Sequence, residues 1–123
     1  VDKRKYRNVK EQKMTLTEYA QKIRENKNNP HYLADLNLDI AADYAFISDT
    51  MKDLQLEKAV FENNTKFAQE KPLSDSSVES KWRITEGGRK EIHLKYEMKG
   101  MEKLMNAIKT SSVVNAIEAR GGY

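Results

Sequence analysis

Between Pro30 and about Gln69 nothing in the chain breaks a helix, and Leu33, Ile40, Ile47, Leu54, Phe61 and Ala68 recur there at strict intervals of seven. Tyr44 and Met51 fill companion positions four residues on, while Asn37 and Lys58 occupy others. This is a heptad seam with two polar interruptions. A helix of about forty residues spans roughly 60 Å, more than one compact domain of this size hides. Each large apolar side chain left in water forfeits about 1.5–3 kcal/mol, so the seam must be covered. A second seam, Leu94, Met98, Met101, Met105 and Ile108, recurs at steps of four and three and covers part of it. The remainder is expected to pack on another copy, which makes Leu33, Ile40, Tyr44, Ile47, Met51, Leu54 and Phe61 a homo-oligomer interface. Asn37 and Lys58 then set register and partner choice, because a buried polar group tolerates few alternative alignments.

The rest of the 123 residues reads as helix too, so the fold expected is all-α. Only five glycines and two prolines interrupt a chain that is 38% hydrophobic and 33% charged, and the common residue types favour helix. Residues 1 to 13 lack apolar periodicity and form a basic arm, either a solvated tail or a phosphate-binding segment. Thr15 and Glu18 have capping-box spacing ahead of a first helix from about Leu16 to Lys27. Asn29 before Pro30 caps the long helix, expected over about 30–69. Ser76 with Glu79 suggests a second box and a short helix from about Ser77 to Glu86; Gly87 and Gly88 suggest a C-cap and hinge. A final helix follows over about 89–119. Residues 14–123 are thus one expected helical domain with a hinge linker near 70–88.

Several chemistries find no footing. Without cysteine there are no disulfides, thiolate nucleophiles or cysteine-held metals, as suits a reducing cytoplasm. His31 and His93 stand in no metal-ligand spacing. Asp35, Asp39 and Asp43 form an acidic ridge without the glycine turn of a calcium loop. Gly87-Gly88-Arg89-Lys90 is not a P-loop, and no serine has a nucleophile-elbow environment. We therefore expect neither an enzyme nor a cofactor. No run approaches a membrane span, and the first residues lack the apolar segment of a signal peptide; a cytoplasmic location, a host's if the protein is viral, is the expectation.

Charge points elsewhere. The net charge is +3, but residues 1 to 13 hold six basic side chains against two acidic, residues 14 to 70 six against ten, and residues 71 to 123 ten against seven. Basic ends around an acidic middle suit polyanion binding, and equally suit pairing of the ends with the middle. "KRKYR" sets Tyr6 among Lys3, Arg4, Lys5 and Arg7, and "SKWRIT" sets Trp82 between Lys81 and Arg83. An aromatic among cations fits a single nucleic-acid strand: base stacking contributes about 1–3 kcal/mol without sequence preference, and the cations neutralise phosphates. Trp82 reads more readily as a core anchor for the short helix, as the lone Trp of a small helical protein usually is. Arg89, Lys90 and the ridge Lys95, Lys99, Lys103 complete the candidate face. Glu91 before Lys95 and Glu102 after Lys99 satisfy part of that ridge within its helix, weakly enough to leave the lysines available. The competing class is a helical protein–protein interaction module, such as a viral inhibitor or assembly adaptor, whose acidic flank from Asp35 to Glu57 imitates a phosphate track.

A long central helix, a serine-started short helix, Thr85-Glu86-Gly87 and a last helix carrying Ala107-Ile108-Lys109 together resemble the UvsY recombination mediators of T-even phages and related small phage recombination proteins. The likeness runs over about residues 30 to 120. It implies an oligomeric, all-helical, non-enzymatic protein that binds single-stranded DNA and helps a recombinase displace a single-strand-binding protein. The family's basic patch near the end of its long helix is poorly matched, since "LEKAVFENNTK" offers only Lys58 and Lys66. The expected DNA site therefore shifts to the linker and last helix.

Overall fold

The computed structural model describes residues 14–121, and these form four helices and no strand: α1 (Leu16–Glu25), α2 (Pro30–Lys66), α3 (Asp75–Arg83) and α4 (Glu86–Gly121). The chain is all-α. It divides into two compact units, one made of Val1–Tyr44 and Lys99–Tyr123, the other of Ala45–Met98. The basic arm expected over residues 1–13 lies outside the described residues.

Local chemistry sets each helix end. The Thr15 hydroxyl accepts the Glu18 amide at 3.1 Å and Glu18 reaches back to the Thr15 amide at 3.4 Å, the reciprocal box its spacing predicts. α1 stops before Lys27 because the Asn26 amide and side chain both donate to the Lys22 carbonyl. Asn29 caps α2 through the Tyr32 amide at 3.2 Å, with Pro30 at the first helical position. The Lys66 carbonyl at its end accepts the Leu73 amide, closing the turn three residues short of Gln69. α3 starts earlier than the Ser76 box implied: Ser74 caps it through the Ser77 amide at 3.2 Å, and Asp75 then lies at the favourable, positive end of the helix.

In the first unit α1 lies against α2 and the later part of α4. The core holds Tyr19 and Ile23 of α1, Leu33, Leu36 and Ile40 of α2, and Met101 and Ile108 of α4. The Tyr19 hydroxyl donates to Asp43 at 2.6 Å and the Tyr44 hydroxyl to Glu102 at 2.7 Å, so each aromatic fixes one helix pair. Ala34 to Leu38 border the same groove as Met105 to Ser112, and the Asn115 amide reaches the Lys27 carbonyl. The two helices are therefore antiparallel in this unit. Gly100 permits the approach of α1, since a Cβ there would stand 2.5 Å from a Leu16 methyl.

The second unit repeats the three-helix scheme with α3 in place of α1. Ile47 and Leu54 of α2, Val78 and Trp82 of α3, and Leu94 of α4 are buried, and Phe61 meets the Trp82 ring at 5.4 Å between centroids.

This arrangement corrects the reading of the heptad seam as an oligomer interface. Leu33, Ile40, Ile47 and Leu54 are all buried by their own chain, at 5% exposure or less. Tyr44, Met51 and Phe61 are half-buried, and Tyr44 and Phe61 have intrachain partners. The seam has cover within the chain because α4, at 36 residues, nearly matches α2, at 37, and the short α1 and α3 each cover a further stretch. Lys58 is likewise an internal ion-pair partner rather than a signal to another copy. Gly87 and Gly88 form neither C-cap nor hinge but lie within the first turn of α4. Among the described residues no helix is long and apolar enough to cross a membrane.

Candidate nucleic-acid interface

The sequence "WRITEGGRK" folds into the tightest corner of the second unit. Thr85 stands between α3 and α4: its hydroxyl donates to the Trp82 carbonyl at 2.6 Å and accepts the Gly88 amide at 3.0 Å, capping α4. Both glycines are required by closeness. A Cβ at Gly88 would sit 1.9 Å from the Trp82 carbonyl oxygen, and one at Gly87 would sit 2.7 Å from the indole ring. Trp82 is thereby clamped at 2% exposure, with its indole N–H donating to Glu91 at 3.3 Å. A ring so enclosed offers no face to a base, which corrects its inclusion as a stacking residue.

Glu91, 3% exposed, is the hub beneath this corner. Besides the indole it accepts from Gln55 at 2.6 Å and from Lys58 at 3.4 Å, and Lys58 also reaches Glu79 at 3.2 Å. Burial alone would lower the Lys58 pKa, but the hydrogen bond to Glu79 and the field of Glu91 outweigh it, so the ammonium is held above its usual range. A charged group with this many partners fixes helix register as well as satisfying charge.

That scaffold carries exposed cations. Lys81 and Arg83 at the end of α3, and Arg89 and Lys90 in the opening turns of α4, are all exposed on either side of Ile84 and Thr85. Among the described residues Lys81, Arg89 and Lys90 enter no ion pair, and Arg83 has only Glu79 at 3.8 Å. Lys95 is exposed with its ammonium 3.9 Å from Glu91, the pairing its spacing predicts. Lys99 and Lys103 are exposed too, but belong to the other unit. Glu102, expected beside Lys99, instead accepts the Tyr44 hydroxyl. Lys3, Arg4, Lys5, Tyr6 and Arg7 lie outside the described residues.

Sequence reasoning missed two exposed surface groups of this unit, Ile84 at 72% and Tyr96 at 70% exposure. Tyr96 was detectable, because it falls midway between the seam residues Leu94 and Met98 and so points off the seam. Among the described residues no three carboxylates or histidines stand close enough to hold a metal ion.

The fold and corner define an all-helical protein with a cation-rich turn. No protein family, curated protein or solved structure matches the chain.

Proposed function

We propose that the chain is a non-enzymatic protein that binds single-stranded nucleic acid without sequence preference, through Lys81, Arg83, Arg89 and Lys90 around the α3–α4 turn. The observation that carries this reading is the presence of four exposed cations on a corner rigidly held by Trp82 and Thr85. Arg89 and Lys90 also lie near the end of α4 where the helix dipole disfavours positive charge. A bound phosphate offsets that cost. Tyr96 takes over the stacking role first assigned to Trp82, being exposed on α4 within the same unit as the four cations. Lys95, Lys99 and Lys103 extend the basic character of α4, and the arm with Tyr6 adds further charge. The likeness to UvsY mediators supports single-stranded DNA as the ligand, recombination as the setting, and a recombinase or single-strand-binding protein as a further partner.

The test is fluorescence anisotropy of a labelled oligothymidine at low salt. Reversing Lys81, Arg83, Arg89 and Lys90 to glutamate is expected to reduce affinity at least tenfold with the helical circular dichroism unchanged. Equal binding by the variant would overturn the site. No binding by the wild type would favour the interaction-module reading instead, for which the exposed apolar residues of α2 are the supporting observation.

A further inference from the structure

Two exposed apolar ridges remain after both cores are formed, and their borders are opposite in charge. On α2, in the second unit, Phe46, Leu56 and Val60 are each more than half exposed, and helical spacing sets Asp49, Asp53 and Glu57 among them, exposed as well. None of these three acids enters an ion pair among the described residues. On α4, in the first unit, Lys109, Val113, Ile117 and Arg120 follow one another at steps of four, four and three, so they form one ridge, and all four are exposed. The exceptions, Lys52 beside the first ridge and Glu118 near the second, are themselves opposite in sign.

Composition makes the α4 ridge the more demanding of the two. Ser111 to Asn115 are five successive poor helix formers, yet they are helical, and Val113, Val114 and Ile117 remain about half exposed. A helical end of that composition draws its stability from a packed apolar face rather than from propensity. We propose that the α4 ridge of one copy docks on the α2 ridge of a second copy, apolar side chains meeting and Lys109 and Arg120 facing Asp49, Asp53 and Glu57. The two patches differ, so the contact is head to tail: a docked pair keeps one free ridge of each kind, one on each copy, and growth continues until it closes a ring or extends as a filament. This assembly uses neither the buried heptad seam nor the α3–α4 turn, and it stands independently of nucleic-acid binding.

Sedimentation velocity without nucleic acid tests it. Wild type is expected to exceed monomer mass increasingly with concentration, whereas Val113→Asp/Ile117→Asp and Leu56→Asp/Val60→Asp are each expected to be monomeric with unchanged helical circular dichroism. Mixed one to one, the two variants should give a heterodimer and nothing larger, because only one competent pair of ridges remains. A wild type that stays monomeric at high micromolar concentration would overturn the proposal. So would assembly of either variant alone, which marks a like-with-like contact, or a mixture that forms no heterodimer.

Discussion

Glu91 carries more of the second unit than any exposed charge does. Replacing it with alanine strips Lys58, Gln55 and the Trp82 indole of their common acceptor while all remain in place. Leaving the buried indole N–H without an acceptor, and Lys58 with Glu79 as its one remaining ion-pair partner, costs about 2 kcal/mol. Urea denaturation of Glu91→Ala is expected to show a loss of that size, and Glu91→Gln a smaller one. Tyr19 plays the corresponding part in the first unit. Burial, first, and then its hydrogen bond to Asp43 push the phenol well above its ordinary value near 10. Above about pH 10 the unfolded chain releases this proton while the folded chain keeps it, so the folded state binds more protons and stability falls as pH rises. Tyr44, through its bond to Glu102, and Lys58 shift in the same direction. Chemical denaturation should therefore give a stability that holds up to about pH 10 and declines beyond it, with a shallower decline in Tyr19→Phe.

Element by element, the corner between α3 and α4 is where substitution is least tolerated. Gly88→Ala forces a Cβ against the Trp82 carbonyl oxygen, a backbone atom that cannot swing aside, and is expected to cost about 3 kcal/mol by urea denaturation. A stability within error of wild type would mean that the corner is looser than described. The same corner marks the limit of what was legible in the sequence. Helices, caps at Thr15 and Asn29, and the buried seam positions follow from local spacing and are found as expected. In the sequence Gly87 and Gly88 suggest a hinge, because a glycine pair usually ends a helix. Their actual cause, the closeness of Trp82, is a tertiary contact that no local pattern carries. The stacking role for Trp82 fails for the same reason, while its reading as a core anchor holds: flanking cations describe its neighbours in sequence, whereas its environment is set by Phe61, Gly87 and Glu91.

At the scale of the whole molecule, charge is sorted by helix. α2 presents Asp35, Asp39, Asp49, Asp53 and Glu57 to solvent beside Lys52, whereas α4 presents Arg89, Lys90, Lys95, Lys99, Lys103, Lys109 and Arg120 against Glu86, Glu102 and Glu118. A net charge of only +3 conceals this separation, and local potential rather than net charge attracts a polyanion. The heptad seam argued for assembly on the ground that its apolar surface had no cover; the three-helix units supply that cover, and assembly now rests on the outer ridges alone. The central claim, that the cation-rich corner holds a nucleic-acid strand, is tested most directly by measuring oligothymidine affinity across a salt series. The account predicts that the logarithm of the association constant falls linearly with the logarithm of salt concentration, losing about three units of slope when the four corner cations are removed. Absence of binding at low salt, or a slope unchanged by those substitutions, would contradict it.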